Sequence, residues 1–169
     1  MTKANPIKKP ISSNRTLILL VTLVCCMLSV TLPAQSRYVK KYRPIADSLS
    51  DEYGIPTAVI LGVAILESGS GSSRNAKLLN NHFGIVGKNN LMKTKGVRSR
   101  YKQYQAPKAS YSDFCRLIAR KKYYSRLKGT KDYKPWLEAM SKAGYSEAPL
   151  EWKKRITATI KKNKLSTTH

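Results

Sequence analysis

Residues that bind metals or close disulfides are scarce in this chain, which has three cysteines and two histidines among 169 residues. Cys25 and Cys26 lie in an N-terminal apolar run, so Cys115 stands alone beyond it. An exported domain with one cysteine closes no internal disulfide and must rely on packing. Cys115, in Phe114-Cys115-Arg116-Leu117-Ile118, reads as a small buried hydrophobe. His82 has no second His, Cys or carboxylate at ligand spacing, which speaks against a metal centre, and no cofactor signature is present. Acids are few as well: nine Asp and Glu stand against 32 Lys and Arg, a formal net charge of +23 at pH 7. Between Glu67 and Asp113 there is no acid at all. So large an excess raises contact rates with polyanions and says nothing about fold. The bases are dispersed and no nucleic-acid module is recognisable, so no specific nucleic acid is expected as a partner. Internal repeats and low-complexity segments are also missing.

Export is written in the first 36 residues. Lys3, Lys8, Lys9 and Arg15 precede an apolar run from Leu17 to Leu32, and Pro33-Ala34-Gln35-Ser36 follows. A basic start, an apolar middle and small residues after it read as a secretory signal over 1–36, cut after Ser36 or after Ala34. The alternative is an uncleaved membrane anchor, since the run approaches the length needed to span a bilayer. Val24 before Cys25 argues against a lipid-attached cysteine. Residues 37–169 then form one domain of about 130 residues, large enough for a core. The expected location is the periplasm or the cell exterior, where acidic wall polymers and anionic head groups are the available polyanions.

Along that domain the pattern is mostly helical. Tyr38, Tyr42, Ile45, Ala46 and Leu49 recur at three- and four-residue steps over 37–53. Gly54 ends that helix and Pro56 opens the next, about 56–68, which is apolar nearly all round and therefore central. A short helix from Ser73 to about Leu79 follows. Val97 to Tyr104 alternates in part and predicts a small hairpin. Helices resume at about 107–120, 132–143 and 149–163, punctuated by Pro107, Gly129 and Gly144. The fold class is α+β, mostly α.

Glu67 is the most informative residue. Ile60, Ala64 and Glu67 share one face at i, i+4 and i+7, which puts a carboxylate in the last turn of the most apolar helix. Burial and the negative end of the helix dipole both raise a carboxyl pKa. A carboxylic acid still protonated near neutral pH is what protonation of a glycosidic oxygen requires. A core glutamate paired with a neighbouring base would show the same spacing.

Four segments in order add to this: Leu66-Glu67-Ser68-Gly69-Ser70-Gly71, Asn80-Asn81-His82-Phe83-Gly84-Ile85, Tyr104 with Ser110, Tyr111 and Asp113, and Ala143-Gly144-Tyr145-Ser146 with Trp152 beyond. Together they resemble the N-acetylglucosaminidase family of peptidoglycan hydrolases, which includes flagellar wall-piercing enzymes and autolysins. The likeness runs from about 40 to 163. It implies a lysozyme-like helical domain with a small β-lobe and a substrate cleft. It also implies an endo-β-N-acetylglucosaminidase, with peptidoglycan glycan strands as substrate and anionic wall polymers as further partners, acting as a monomer. By that resemblance Glu67 is the general acid, Tyr145 lies near the reacting sugar, and Asn81, Phe83 and Tyr104 shape the cleft and its sugar contacts. From the residues alone, Phe83 reads as core, Asn81 as serving its own turn, and Tyr145 as packing after Gly144.

The sequence departs from the family in one respect. Members often carry a second carboxylate in the β-lobe, and this chain has none there. Glu147 beside Tyr145 is one candidate for a secondary acid. The substrate's own N-acetyl group is another route, and impaired catalysis a third. Two other functions therefore stand beside hydrolysis: lytic transglycosylation of the same polymer, and cationic wall binding without cleavage. Against transglycosylation, the segment after Glu67 reads Asn-Asn-His-Phe-Gly-Ile rather than the Gly-Leu-Met-Gln type.

Overall fold

The structure is a computed structural model and describes residues 34–166, with side chains from 37 onward. The export segment read from residues 1–36 thus falls outside the described residues up to position 33. Ala34, Gln35 and Ser36 begin the first helix.

Helix α1, Ala34–Tyr53, buries Tyr38, Tyr42, Ala46 and Leu49 along one stripe, as the spacing requires. Pro44 lies on its exposed face. Helix α2, Thr57–Ser68, is the hub. Every residue from Ala58 to Ile65 is buried, and α1, α5, α7 and α8 all pack on it. Gly62 permits the closest of these approaches, because a Cβ there would stand 2.8 Å from Ile160 Cγ1 on α8. Gly69 closes α2 in the left-handed conformation, φ 54°, and its N–H reaches back to the carbonyls of Ile65 and Leu66. Helix α3, Arg74–Leu79, starts at Ser73, whose hydroxyl accepts from the Ala76 N–H.

After α3 the chain forms the small lobe. Its two sides share one isolated antiparallel bridge, Val86 with Tyr101, and a few backbone bonds, so the hairpin expected at Val97–Tyr104 is not a strand pair among the described residues. Helix α4, Leu91–Lys95, lies between the two sides and was not visible in the periodicity. The physical reason is composition: Gly, Asn and Lys are poor strand formers, and Gly84, Gly87, Asn89 and Asn90 crowd one side. Side-chain amides add to these backbone bonds where a ladder is lacking. Asn89 Nδ2 donates to the carbonyls of Ser99 and Tyr101 at 2.8 and 2.9 Å, while its Oδ1 accepts from the Leu91 N–H.

The remaining helices are α5 (Pro107–Ala119), α6 (Tyr124–Leu127), α7 (Tyr133–Lys142) and α8 (Pro149–Lys162). Proline opens both α5 and α8. Phe114, Cys115 and Ile118 from α5, Trp136 and Met140 from α7, and Ile156 and Ile160 from α8 complete one core around α2. Cys115 is fully buried, and burial above all pushes its thiol up to about 12. No helix among the described residues is long and apolar enough to cross a membrane.

Candidate active site

Glu67 occupies the penultimate position of α2, where the helix emerges from the core. Ile60 and Ala64 on its face are wholly buried, yet Glu67 itself is exposed, so the expected buried acid is corrected to a surface one. In the last turn one side stays packed, with Ser68 fully buried, while Glu67 turns out to the surface. Protein still crowds one side of the carboxyl, and that partial desolvation raises its pKa above the usual carboxylate range. Two groups on α8 oppose the rise. The Trp152 indole Nε1–H donates to Glu67 Oε1 at 3.0 Å, and the Arg155 charge acts at longer range. No carboxylate is among the groups that act on Glu67.

Tyr145 follows Gly144, whose φ of 71° turns the chain between α7 and α8. Its ring lies 5.0 Å from Trp152 and packs edge-on to Phe114 at 6.2 Å. Burial, then the Glu67 charge, push its phenol well above the ordinary value. The structure therefore brings Glu67, Tyr145 and Trp152 together. Tyr145 is half-buried, and no hydrogen bond joins its hydroxyl to another described residue.

Three other sequence-derived site residues, Asn81, Phe83 and Tyr104, are buried. Asn81 is buried with all its amide capacity used: Nδ2 donates to the Ile85 and Lys102 carbonyls, and Oδ1 accepts from the Phe83 and Ile85 N–H groups. Phe83 is buried and stacks on Phe114 at 4.3 Å. Tyr104 is buried, and its hydroxyl donates to Asp113 Oδ2 at 2.7 Å. Asp113 also pairs with Lys102 at 2.6 Å and Arg116 at 3.4 Å. Partial burial alone would raise the Asp113 pKa, but bonds from Lys102 and Tyr104 and the two cations hold it below the usual value. Glu147 is exposed on the loop after Tyr145.

His82 serves a buried polar cluster. Its Nδ1 and the Tyr38 hydroxyl are 2.7 Å apart, Tyr38 is 2.7 Å from the Tyr111 hydroxyl, and Ser68 donates to Tyr38 at 3.4 Å. Burial first, and then Lys41, lower the His82 pKa to about 4. This cluster ties Ser68, next to Glu67, to α1 and α5. Among the described residues no three His, Cys, Asp or Glu side chains converge as metal ligands would.

Sequence reasoning left Trp152 without a role, although it donates directly to Glu67. The available signal was Trp152 and Arg155 at i and i+3, one face of α8.

The profile of the Glucosaminidase family, described as mannosyl-glycoprotein endo-beta-N-acetylglucosaminidase, matches residues 43–165. The chain belongs to this glucosaminidase family. Solved structures share the fold. The catalytic domain of the autolysin Auto from Listeria monocytogenes superposes with a TM-score of 0.68 at 19% identity, covering 94% of this chain and 98% of that one. The glycoside hydrolase domain of FlgJ from Salmonella typhimurium gives 0.62 at 22% identity, covering 77% and 88%. A peptidoglycan hydrolase from Sphingomonas sp. A1 gives 0.57 at 20%, covering 79% and 96%. No curated protein sequence matches the chain. The family match covers the Glu67, Tyr145 and Trp152 group, so this glucosaminidase is a glycosidase with its polar cluster at the end of the central helix.

Proposed function

We propose that this glucosaminidase is exported and hydrolyses the β-1,4 bond after N-acetylglucosamine in peptidoglycan, with Glu67 as general acid. The observation that carries the reading is the Glu67 carboxyl itself. Its pKa is raised by partial desolvation, its Oε1 is fixed by the Trp152 indole, and it is reachable from solvent at the end of α2.

The chemistry follows from those three properties. Protonated Glu67 gives its proton to the glycosidic oxygen as the C–O bond breaks, and positive charge develops at the anomeric carbon. The small lobe carries no acid between Glu67 and Asp113, and in this reading the substrate's own N-acetyl oxygen attacks that carbon, forming a cyclic intermediate. The Tyr145 hydroxyl, close enough to Glu67 to feel its charge, turns an oxygen lone pair toward the developing charge. Ionised Glu67 then takes a proton from the water that opens the ring, and a reducing N-acetylglucosamine end leaves. Asn81, Phe83 and Tyr104 support the sugar-facing surface from beneath. Glu147 remains the alternative secondary acid, and its removal should leave turnover intact. The positive surface favours anionic wall polymers.

The test is digestion of purified peptidoglycan by the chain and by Glu67→Gln, with mass spectrometry of the fragments. Reducing N-acetylglucosamine ends, lost in the variant, are expected. Anhydro-muramic ends would replace this reading with transglycosylation. Binding without fragments would replace it with wall binding alone.

A further inference from the structure

The small lobe carries a second feature, remote in sequence from Glu67. Gly87, Lys88, Asn89, Met92, Arg98 and Arg100 line most of an open hollow of about 800 Å³. Its two walls are the paired sides of the lobe. The Gly87 N–H donates to the Arg100 carbonyl at 3.0 Å, and the Gln103 N–H to the Lys88 carbonyl at 3.0 Å. Asn89 bolts the walls together through Ser99 and Tyr101, so the hollow is formed before anything enters it.

Its lining combines two properties. Lys88, Arg98 and Arg100 are exposed, and none of them is ion-paired among the described residues. Lys102, by contrast, is spent on Asp113. No acid occurs between Glu67 and Asp113 to neutralise the lobe. Beside these cations stands apolar surface: Met92 is 55% exposed in the hollow, and Val86, next to Gly87, is 61% exposed. A bare phosphate polymer would use the cations and leave Met92 without a partner. A short peptide with several carboxylates and methyl side chains would use both.

We propose that this hollow is a peptide subsite, taking the carboxylate-rich, alanine-bearing stems that peptidoglycan carries on its glycan. Lys88, Arg98 and Arg100 receive carboxylates, and Met92 receives a methyl group. The proposal rests on the peptidoglycan reading for its ligand, and is independent of the role of Glu67. It would let a chain whose acid stands on an open surface grip its polymer through the stems as well as the sugars.

The experiment is a calorimetric titration of the full chain with a free stem tetrapeptide, with the same peptide amidated at its carboxylates, and with inorganic triphosphate. Saturable binding of the free peptide only is expected. With two exposed ion pairs lost, Arg98→Ala with Arg100→Ala should weaken binding several-fold, to at most roughly thirtyfold. Met92→Ser should weaken peptide binding and leave any triphosphate binding unchanged. Unaltered melting temperatures in both variants would assign the losses to contact rather than folding. No peptide binding, binding indifferent to these substitutions, or triphosphate bound as tightly as peptide would each overturn the subsite. A Glu67→Gln chain that cuts nothing must still bind the peptide, so failure of the catalytic reading and failure of this one are read separately.

Discussion

Trp152→Phe gives the sharpest test of how Glu67 is tuned. The indole N–H donates to Glu67 Oε1 at 3.0 Å, and phenylalanine keeps a ring against Tyr145 while deleting that donor. A hydrogen bond to a charged group is worth about 1.5–3 kcal/mol in favourable settings. Glu67 is exposed, and solvent competes for the lone pair, so about 1 kcal/mol is a fair share here. That is roughly a fivefold change in the ionisation constant. The bond favours the carboxylate, so losing it favours the acid and raises the Glu67 pKa further. In a pH profile of kcat/KM, the limb on which the acid is lost should therefore move to higher pH. The rate at the optimum should fall, because Oε1 is no longer fixed. A profile shifted to lower pH would refute the account, as would a fall in rate with no shift. A purely structural role for Trp152 predicts the latter.

Other outcomes follow from the same geometry. Glu67→Gln should cut turnover by about 10²–10⁴, the usual worth of a general acid, with an unchanged melting temperature. Tyr145→Phe should lower kcat several-fold and leave stability within about 0.5 kcal/mol, because no protein group bonds that hydroxyl; a large loss of stability would show a structural role instead. Gly62→Ala should destabilise by about 1–3 kcal/mol in denaturant unfolding, since its Cβ meets Ile160 Cγ1 at 2.8 Å. His82 has its folded pKa lowered to about 4 from 6.5, so its stabilising effect is full above pH 6.5 and is lost as pH falls toward 4. Melting temperatures across that window should drop more for the native chain than for a His82→Asn variant.

The helical body was legible because its residues are locally consistent. Tyr38, Tyr42, Ala46 and Leu49 mark the buried stripe of α1, and Pro107 and Pro149 mark helix starts. The lobe was not legible in the same way. Its order comes from Asn81 and Asn89 side chains bonding carbonyls far along the chain, and such bonds leave no period in the sequence. Partial alternation at Val97–Tyr104 suggested a strand, whereas the amides needed only one bridge at Val86 and Tyr101. Asn81, Phe83 and Tyr104 belong to the site only by resemblance. Asn81 bonds within its own turn and Phe83 packs in the core, as their chemistry suggests, whereas the bond from Tyr104 to Asp113 emerges only in the structure.

Glu67 shows why register alone cannot fix an environment. Helical spacing correctly put it on the face of Ile60 and Ala64, and that face is buried for two turns. Depth, however, depends on what packs against each side of the helix, and in the last turn Ser68 is covered while Glu67 is not. The result is an acid partly desolvated yet accessible. Deeper burial would raise its pKa further and also bar the polymer. Full exposure would leave it ionised at neutral pH. The last turn of a core helix, capped by Gly69 and braced by Trp152 from α8, meets both requirements at once. A single carboxylate in a chain otherwise poor in acid can then be tuned by one indole and one distant arginine, with no neighbouring carboxylate acting on its proton.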